Sequence, residues 1–387
     1  MFKRVNENVA KAKPPLIVEV IPQAASRLLW IVCFLVVTLS SLSAQGVGIG
    51  TYDLRSTSDL SFAFDYNGTG NSDHLVMYRP GTGIIYILAQ NNGAFTPVFH
   101  STSGIGTYDL TSTADRIFPF DYSGTGYKDH LVCYRPGTGI IYVLANNQGT
   151  FTPVYHSTNG IGDYDLKSTA DTVFPFDFDS SGFADHLVLY RPGSGMVHIL
   201  ANVNGVFHSV FSSDGKGIGS YDLSSTADRM FAFDYNGIGT ADHLVLYRPG
   251  SGIIYILAND NGTFQADFMS VSGIGTYDLT STNDRLLAFD YNGSGLLDHL
   301  IAYRPGTGII YILQSAYFAY TPVFQSITGI GSYDLKSTAD RITTLDYSGT
   351  GLMDHLVIYR PGDGIIYIEQ NANGVFSPAL ASGYVTH

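Results

Sequence analysis

The sequence predicts an all-β fold, a six-bladed β-propeller of four-stranded antiparallel blades, and three observations predict it. The block Asp-His-Leu-(Val/Ile)-x-Tyr-Arg-Pro-Gly recurs six times, with its Asp at Asp73, Asp129, Asp185, Asp242, Asp298 and Asp354. The intervals are 56, 56, 57, 56 and 56 residues, the extra residue falling near Asp214–Lys216. A fixed period of that size marks a solenoid, a propeller or an array. Each unit also holds four short β-rich runs between Gly- and Asn-containing turns, and no unit shows a helical period.

In the first copy the predicted strands are A (Ser61–Asp65), B (His74–Arg79), C (Ile84–Ala89) and D (Ala94–Ser101). Their turns are Asn67-Gly68-Thr69-Gly70, Pro80-Gly81-Thr82-Gly83 and Asn91-Asn92-Gly93, which supply the positive φ angles of tight hairpins. Strands B and C are apolar on both faces, as expected of sheets covered by neighbours on either side. Strand D carries Pro97, Pro153, Pro322 and Pro378, so it belongs at the blade edge. The alternatives are an open β-solenoid and a ring completed by a second chain. How the ring is sealed, by an exchanged strand or by blade contact, is open at this point.

Residues 46–387 are therefore read as the propeller and 1–45 as a signal peptide or signal anchor. Leu28–Leu39 is an apolar run preceded by Lys3, Arg4, Lys11, Lys13 and Arg27 and followed by Ser40-Ser41-Leu42-Ser43-Ala44. That order predicts secretion with cleavage near Ala44. The run is short for a spanning helix, and an uncleaved anchor tethering the protein to a membrane is the alternative. With the leader removed, no stable membrane insertion is expected. Cys33 falls in the leader, and Cys133 aligns with Met77, Leu189, Leu246, Ala302 and Ile358. It reads as a buried apolar position without a disulfide partner. A net charge of −13 with only 14% charged residues argues against a nucleic-acid partner, which requires a basic face.

Strand B spans about 20 Å at ordinary strand rise, so its two ends lie on opposite faces. One face carries the A–B and C–D loops, the other the B–C loop and the D–A connection Gly-Ile-Gly-x-Tyr-Asp-Leu. The A–B loop places oxygen-bearing side chains at cation-loop spacing, and the third copy keeps Asp177, Asp179, Ser181 and Asp185. That set suits calcium, and no other cofactor is called for. The alternative is that these Asp side chains only close the turn. The histidines that follow, His74, His130, His186, His243, His299 and His355, lack a second ligand at metal spacing and read as structural groups bonded between blades.

On the opposite face stand Arg79, Arg135, Arg191, Arg248, Arg304 and Arg360. The connections add Tyr108-Asp109, Tyr164-Asp165, Tyr221-Asp222, Tyr277-Asp278 and Tyr333-Asp334. An aromatic ring, a carboxylate and a guanidinium make a carbohydrate site: the ring stacks on the sugar's CH face while the charged groups bond its hydroxyls. The alternative is that Arg and Asp pair with each other and lock the blades.

The A–B loop resembles the cation loop of FG-GAP and integrin-type propellers. The whole block Phe-Asp-Tyr-x-Gly-x-Gly-x-x-Asp-His-Leu-Val-x-Tyr-Arg-Pro-Gly-(Thr/Ser)-Gly resembles the repeat of the mushroom β-propeller lectins that recognise terminal N-acetylglucosamine. The resemblance covers all six copies. It implies a propeller with sugar pockets between adjacent blades and no catalysis. This chain departs from the pattern at His198 in strand C of the third copy, at Ala316-Tyr317-Phe318 in the fifth, and at Asp363 and Glu369 in the sixth.

An enzyme assembles one asymmetric set of nucleophile, base and orienting group, whereas here every polar motif recurs. The expectation is a secreted, non-enzymatic lectin for glycans or glycoproteins, multivalent through its repeats. A scaffold for protein–protein interaction is the alternative.

Overall fold

The computed structural model describes residues 47–316 and 319–383. The segment read as a leader, together with Tyr317 and Phe318, lies outside the described residues. Blade one consists of β1 (Leu60–Phe64), β2 (His74–Arg79), β3 (Ile84–Asn91) and β4 (Ala94–Ser101), within two residues of the sequence reading. The pattern recurs to blade six: β21 (Arg341–Leu345), β22 (His355–Arg360), β23 (Ile365–Ala372) and β24 (Val375–Ser382). Among the described residues there are six antiparallel four-stranded sheets, each running A-B-C-D in order. None of these residues forms a helix long and apolar enough to cross a membrane.

The core lies between the blades. Phe64, Val76 and Ile87 of blade one pack on Ile117, Leu131 and Leu144 of blade two. The last such layer joins Leu75 and Leu88 to Leu345, Val357 and Ile368, so the ring closes on itself. Both faces of strands B and C are covered, which is why their sequences are apolar throughout. Cys133 is one of these core residues, fully buried and free. Strand D is the edge. A bulge interrupts its pairing where Leu88 faces Pro97 and Ile87 faces Phe99; bulge and proline together blunt the edge against further pairing.

Blades are tied by the D–A connections. The leucine of each Tyr-Asp-Leu is buried and left-handed, with φ between 50° and 53° at Leu54, Leu110, Leu166, Leu223, Leu279 and Leu335. A bulky residue held there is strained. The strain turns the Leu110 carbonyl toward the preceding blade, where it accepts N–H bonds from Gly81 and Gly83, both at 3.1 Å. A second tie is the Tyr78 hydroxyl, which accepts the Ile117 N–H of the next blade's strand A at 3.3 Å. The same bonds seal the ring. Gly48 N donates to Gly364 O at 2.7 Å, Gly362 N to Leu54 O at 3.1 Å, and Ser61 N to the Tyr359 hydroxyl at 3.0 Å. All four strands of each blade come from one continuous stretch, so no strand is exchanged at the junction.

Blade six carries one break in the pattern. Glu369 stands where Leu88, Leu144, Leu200, Leu257 and Leu313 stand in the others, and it is fully buried. Its Oε1 accepts from the Ser332 N–H at 3.3 Å and Oγ at 3.4 Å, while Oε2 has no partner. Gly331, lacking a side chain, leaves the space the carboxylate fills. Burial pushes the carboxyl up from 4.5 to about 7. The folded-state value is raised, so the associated stability is present below about pH 4.5 and is lost as pH rises through about 7. Glu369→Leu is expected to stabilise the fold by about 1–3 kcal/mol at pH 8, the cost of an unsatisfied buried group. The gain in melting temperature should be smaller at pH 5, which a pair of thermal scans measures.

Candidate functional site

The arginine motif closes on itself. Arg135 Nε donates to Asp115 Oδ1 at 2.7 Å, and its terminal nitrogen donates to Asp115 Oδ2 at 3.0 Å and Asp109 Oδ1 at 2.5 Å. The Tyr108 hydroxyl donates to Asp115 at 2.6 Å, the Ser112 N–H caps the other oxygen at 2.8 Å, and the guanidinium lies 5.7 Å from the Tyr108 ring centre. The same constellation surrounds Arg79, Arg191, Arg248, Arg304 and Arg360. It includes Tyr52 and Asp53 of the first copy, which complete the sixfold set.

The sequence places Arg, the Tyr-Asp pair and the Asp of Asp115-Arg116 on one face, and the structure shows that this last Asp, seven residues after the Tyr, is the buried anchor of the cluster. The stacking role expected of Tyr108, Tyr164, Tyr221, Tyr277 and Tyr333 is corrected. Their rings are only 1–3% exposed, so no sugar face can reach them. Burial, then the adjacent carboxylate, pushes these phenols far above their ordinary range. The outer carboxylates are more open: Asp109, Asp165, Asp222 and Asp278 have exposed side chains, whereas Asp334 is buried. Asp165 and Asp222 are held below the usual carboxylate range, chiefly by the N–H groups of Lys167 and Ser224, with Arg191 and Arg248 adding to the effect.

The A–B loop is also self-satisfied. Asp65 accepts the Thr69 N–H at 2.9 Å and the Gly70 N–H at 2.7 Å, the turn-closing role weighed for it. In the third copy Asp177 accepts the N–H groups of Ser181 and Gly182 at 2.9 and 2.8 Å, and burial pushes its carboxyl up to about 6. Within the set Asp177, Asp179, Ser181 and Asp185, the Ser181 N–H also reaches Asp179 Oδ1 at 3.2 Å. The ligating atoms that gather within 4.8 Å are those of Asp179, Asp185 and His186, and an imidazole is a poor calcium ligand. At His198 in this copy, the ring bonds Asp163 at 3.0 Å in place of the usual tyrosine.

The repeated histidine sits within its own blade rather than between blades. His74 Nδ1 bonds Asp73 Oδ1 at 2.6 Å and the ring packs against Tyr66 at 5.1 Å. Its effect is to aim Asp at the neighbouring blade. Asp129, so held by His130, turns its other oxygen toward Gly68 of blade one. In the third copy Ser180 replaces that glycine and donates to Asp242 Oδ2 at 2.9 Å.

This arrangement opens a cleft between consecutive blades. Between blades one and two its walls are Tyr66, Asn67, Gly68, Asp129, Asn146, Asn147 and Gln148, enclosing about 520 Å³. Asn146 braces it, donating to Tyr66 O at 2.7 Å and accepting the Gly149 N–H at 2.9 Å. Equivalent clefts lie beside Tyr122, Asp185 and Asn202, about 590 Å³, and beside Tyr291, Asp354 and Asn371, about 350 Å³. Each offers a half-buried aromatic ring, a carboxylate and side-chain amides. The clefts lie on the face opposite the arginines. The signal for them was present in the recurrence of Asn146, Asn202, Asn259 and Asn371 at the repeat interval.

No protein-family model matches this chain, and no curated protein sequence matches it. Its fold is that of a six-bladed β-propeller. Among solved structures, an Agrocybe aegerita lectin that specifically recognises non-reducing terminal N-acetylglucosamine aligns at 18% identity. The alignment covers 84% of this chain and 79% of that one, with a TM-score of 0.51. A proposed 6-phosphogluconolactonase from Bacteroides uniformis aligns at 12% identity over 81% and 83% of the two chains, TM-score 0.44. Another from Bacteroides fragilis aligns at 11% over 80% of each, TM-score 0.42. These two correct the expectation that the chain is not an enzyme: propellers proposed as lactonases stand among its structural neighbours. Identities this low show the fold alone.

Because Asp115 is fully buried and Asp109 is 58% exposed, their pairs with Arg135 differ in weight. Arg135→Ala is expected to cost about 3–5 kcal/mol by stranding a buried carboxylate. Asp109→Ala should cost about 1 kcal/mol or less. Denaturant titration of the two variants measures the contrast.

Proposed function

We propose that the protein is a secreted carbohydrate-binding protein whose sites are the clefts between adjacent blades, taking glycans that end in N-acetylglucosamine-type sugars. The observation that carries this reading is the composition of the cleft. Tyr66 offers a ring edge and face, Asp129 a carboxylate oxygen, and Asn147 and Gln148 exposed amides, all from two rigid blades. A pyranose meets its needs there: apolar contact for its CH face, an acceptor for its hydroxyls and donors for an acetamido oxygen. Tyr66 remains a neutral phenol, since burial raises its pKa, and is available to donate and accept hydrogen bonds. The fold shared with a lectin for terminal N-acetylglucosamine supports the same reading.

Repetition supplies what single clefts lack. Individual sugar sites are weak, and several on one rigid ring raise avidity on a dense glycan surface. The copies are not equal: Gln90 and Ser315 replace the bracing asparagine in blades one and five.

Calorimetric titration of the full chain with N-acetylglucosamine tests the proposal through its stoichiometry. Asp129→Ala, which removes the carboxylate from one cleft, is expected to lower the number of sites by one without changing the affinity of the rest. Unchanged stoichiometry, or no sugar binding by the native chain, would overturn it.

A further inference from the structure

The boundary between blades three and four is framed like the others but lined differently. Asn259 donates to the Phe178 carbonyl as Asn146 does to that of Tyr66, so the A–B loop and the next blade are tied across it by the same bond. The lining departs at two positions. Phe178 stands where Tyr66, Tyr122, Tyr235, Tyr291 and Tyr347 stand, and Ser180 stands where Gly68, Gly124, Gly237, Gly293 and Gly349 stand.

The glycine position faces the carboxylate of the cleft. A Cβ at Gly68 would lie 3.8 Å from Asp129 Oδ2, at Gly124 3.2 Å from Asp185 Oδ2, and at Gly237 3.5 Å from Asp298 Oδ2. At Gly293 it would lie 3.9 Å from Asp354 Oδ2, and at Gly349 3.8 Å from Asp73 Oδ2. A side chain here meets the Asp of the next blade, and Ser180 does so: its hydroxyl donates to Asp242 Oδ2 at 2.9 Å. It reaches that oxygen from a left-handed backbone, φ 55°, which glycine adopts freely and serine does not. The other oxygen, Oδ1, bonds His243 Nδ1 at 2.6 Å. That ring is itself held from behind, Nε2 to Asp267 Oδ2 at 3.3 Å, and Asp267 takes the place of Val98, Val154, Val210 and Val323. Burial works to raise the Asp242 carboxyl, but the bonds from His243 and Ser180 hold it below the usual carboxylate range. Its side chain is 10% exposed, against 20–32% for the Asp of the other five boundaries.

The aromatic change acts in the same direction. The hydroxyls of Tyr66, Tyr122 and Tyr291 reach the C–D turn of the next blade, where a Cβ at Gly149, Gly205 or Gly374 would lie 2.7, 3.2 or 3.0 Å from the oxygen. At Gly262 the same place meets only a ring carbon of Phe178, at 3.5 Å. The tip of this ring has no polar atom to offer a hydroxyl-bearing ligand.

On the reading of the clefts as sugar sites, on which this rests, we propose that Ser180 is an internal latch that closes the boundary of blades three and four to sugar and so sets how many sites the ring presents. A sugar hydroxyl entering here has to displace the Ser180 hydroxyl from the carboxylate oxygen it needs, with no phenol to bond in exchange. Replacing one hydroxyl donor by another on the same oxygen gains little. The ring is left with a gap between its third and fourth blades, and its avidity on a dense glycan surface comes from the remaining boundaries.

Equilibrium dialysis of the full chain against labelled N-acetylglucosamine counts the sites. The variant F178Y/S180G, which restores the residues of the other five loops at both positions, should bind one sugar more per chain than the native protein. Phe178→Tyr alone, with Ser180 in place, should add none. The reciprocal variant Gly68→Ser sets a hydroxyl beside Asp129 Oδ2 on the same left-handed backbone, φ 64° at Gly68, and should bind one fewer. A native count in folded F178Y/S180G or folded Gly68→Ser overturns the latch, as does an added sugar with Phe178→Tyr alone. Should one of the first two fail to fold, the other decides. The sugar sites themselves stand in those cases if Asp129→Ala still lowers the count by one. A native chain that binds no sugar overturns the sites, and the latch with them.

Discussion

The leucine that enters each blade in a left-handed conformation is the hinge on which this ring is built. Its strained backbone aims a carbonyl at two glycine N–H groups of the blade before, and its side chain fills the core between the two. The residues on either side of it are then placed without further freedom. The preceding Tyr and Asp meet the strand B arginine of their own blade, and the Asp that follows is buried beneath that arginine. One short connection therefore fixes the blade to its neighbour and locks its own sheet. The glycine before Ile105 belongs to the same device: a side chain at Gly104 would strike the Tyr108 carbonyl, so the connection can be this tight only without one.

That constraint divides the two faces by task. On the arginine face the charged groups are used up in holding the ring, and the tyrosines are sealed beneath them. On the opposite face the loops are closed by backbone donors to Asp65 and its equivalents, which leaves the Asp of each Asp-His free to reach across the blade boundary. The structural cluster and the proposed sugar site thus use the same pairing, Asp with Arg or His, at opposite ends of strand B.

Much of this was legible in the sequence because it is local and repeated. The period, the turn residues and the two-sided apolar strands predicted the blades to within two residues, and the prolines placed strand D at the edge. The arginine, tyrosine and aspartate were also correctly seen as partners. Their role was harder to judge, because burial of Tyr108 depends on the packing of two blades, and no pattern within one repeat records it. The cleft left only the recurring asparagine as a trace, for a related reason: Tyr66 and Asn146 are 80 positions apart and meet only when one blade's A–B loop faces the next blade's C–D turn. In the third copy, spacing alone does not reveal that Asp177 accepts its own loop's N–H groups.

The central claim is the sidedness of the molecule: ligand on the Asp-His face, structure on the arginine face. A crystal of the protein soaked in N-acetylglucosamine tests it most directly. The account predicts sugar density against Tyr66, Asp129 and their equivalents, with the Arg135–Asp115–Tyr108 cluster unchanged. Sugar bound instead at Arg135 and Asp109, with the clefts empty, would contradict it.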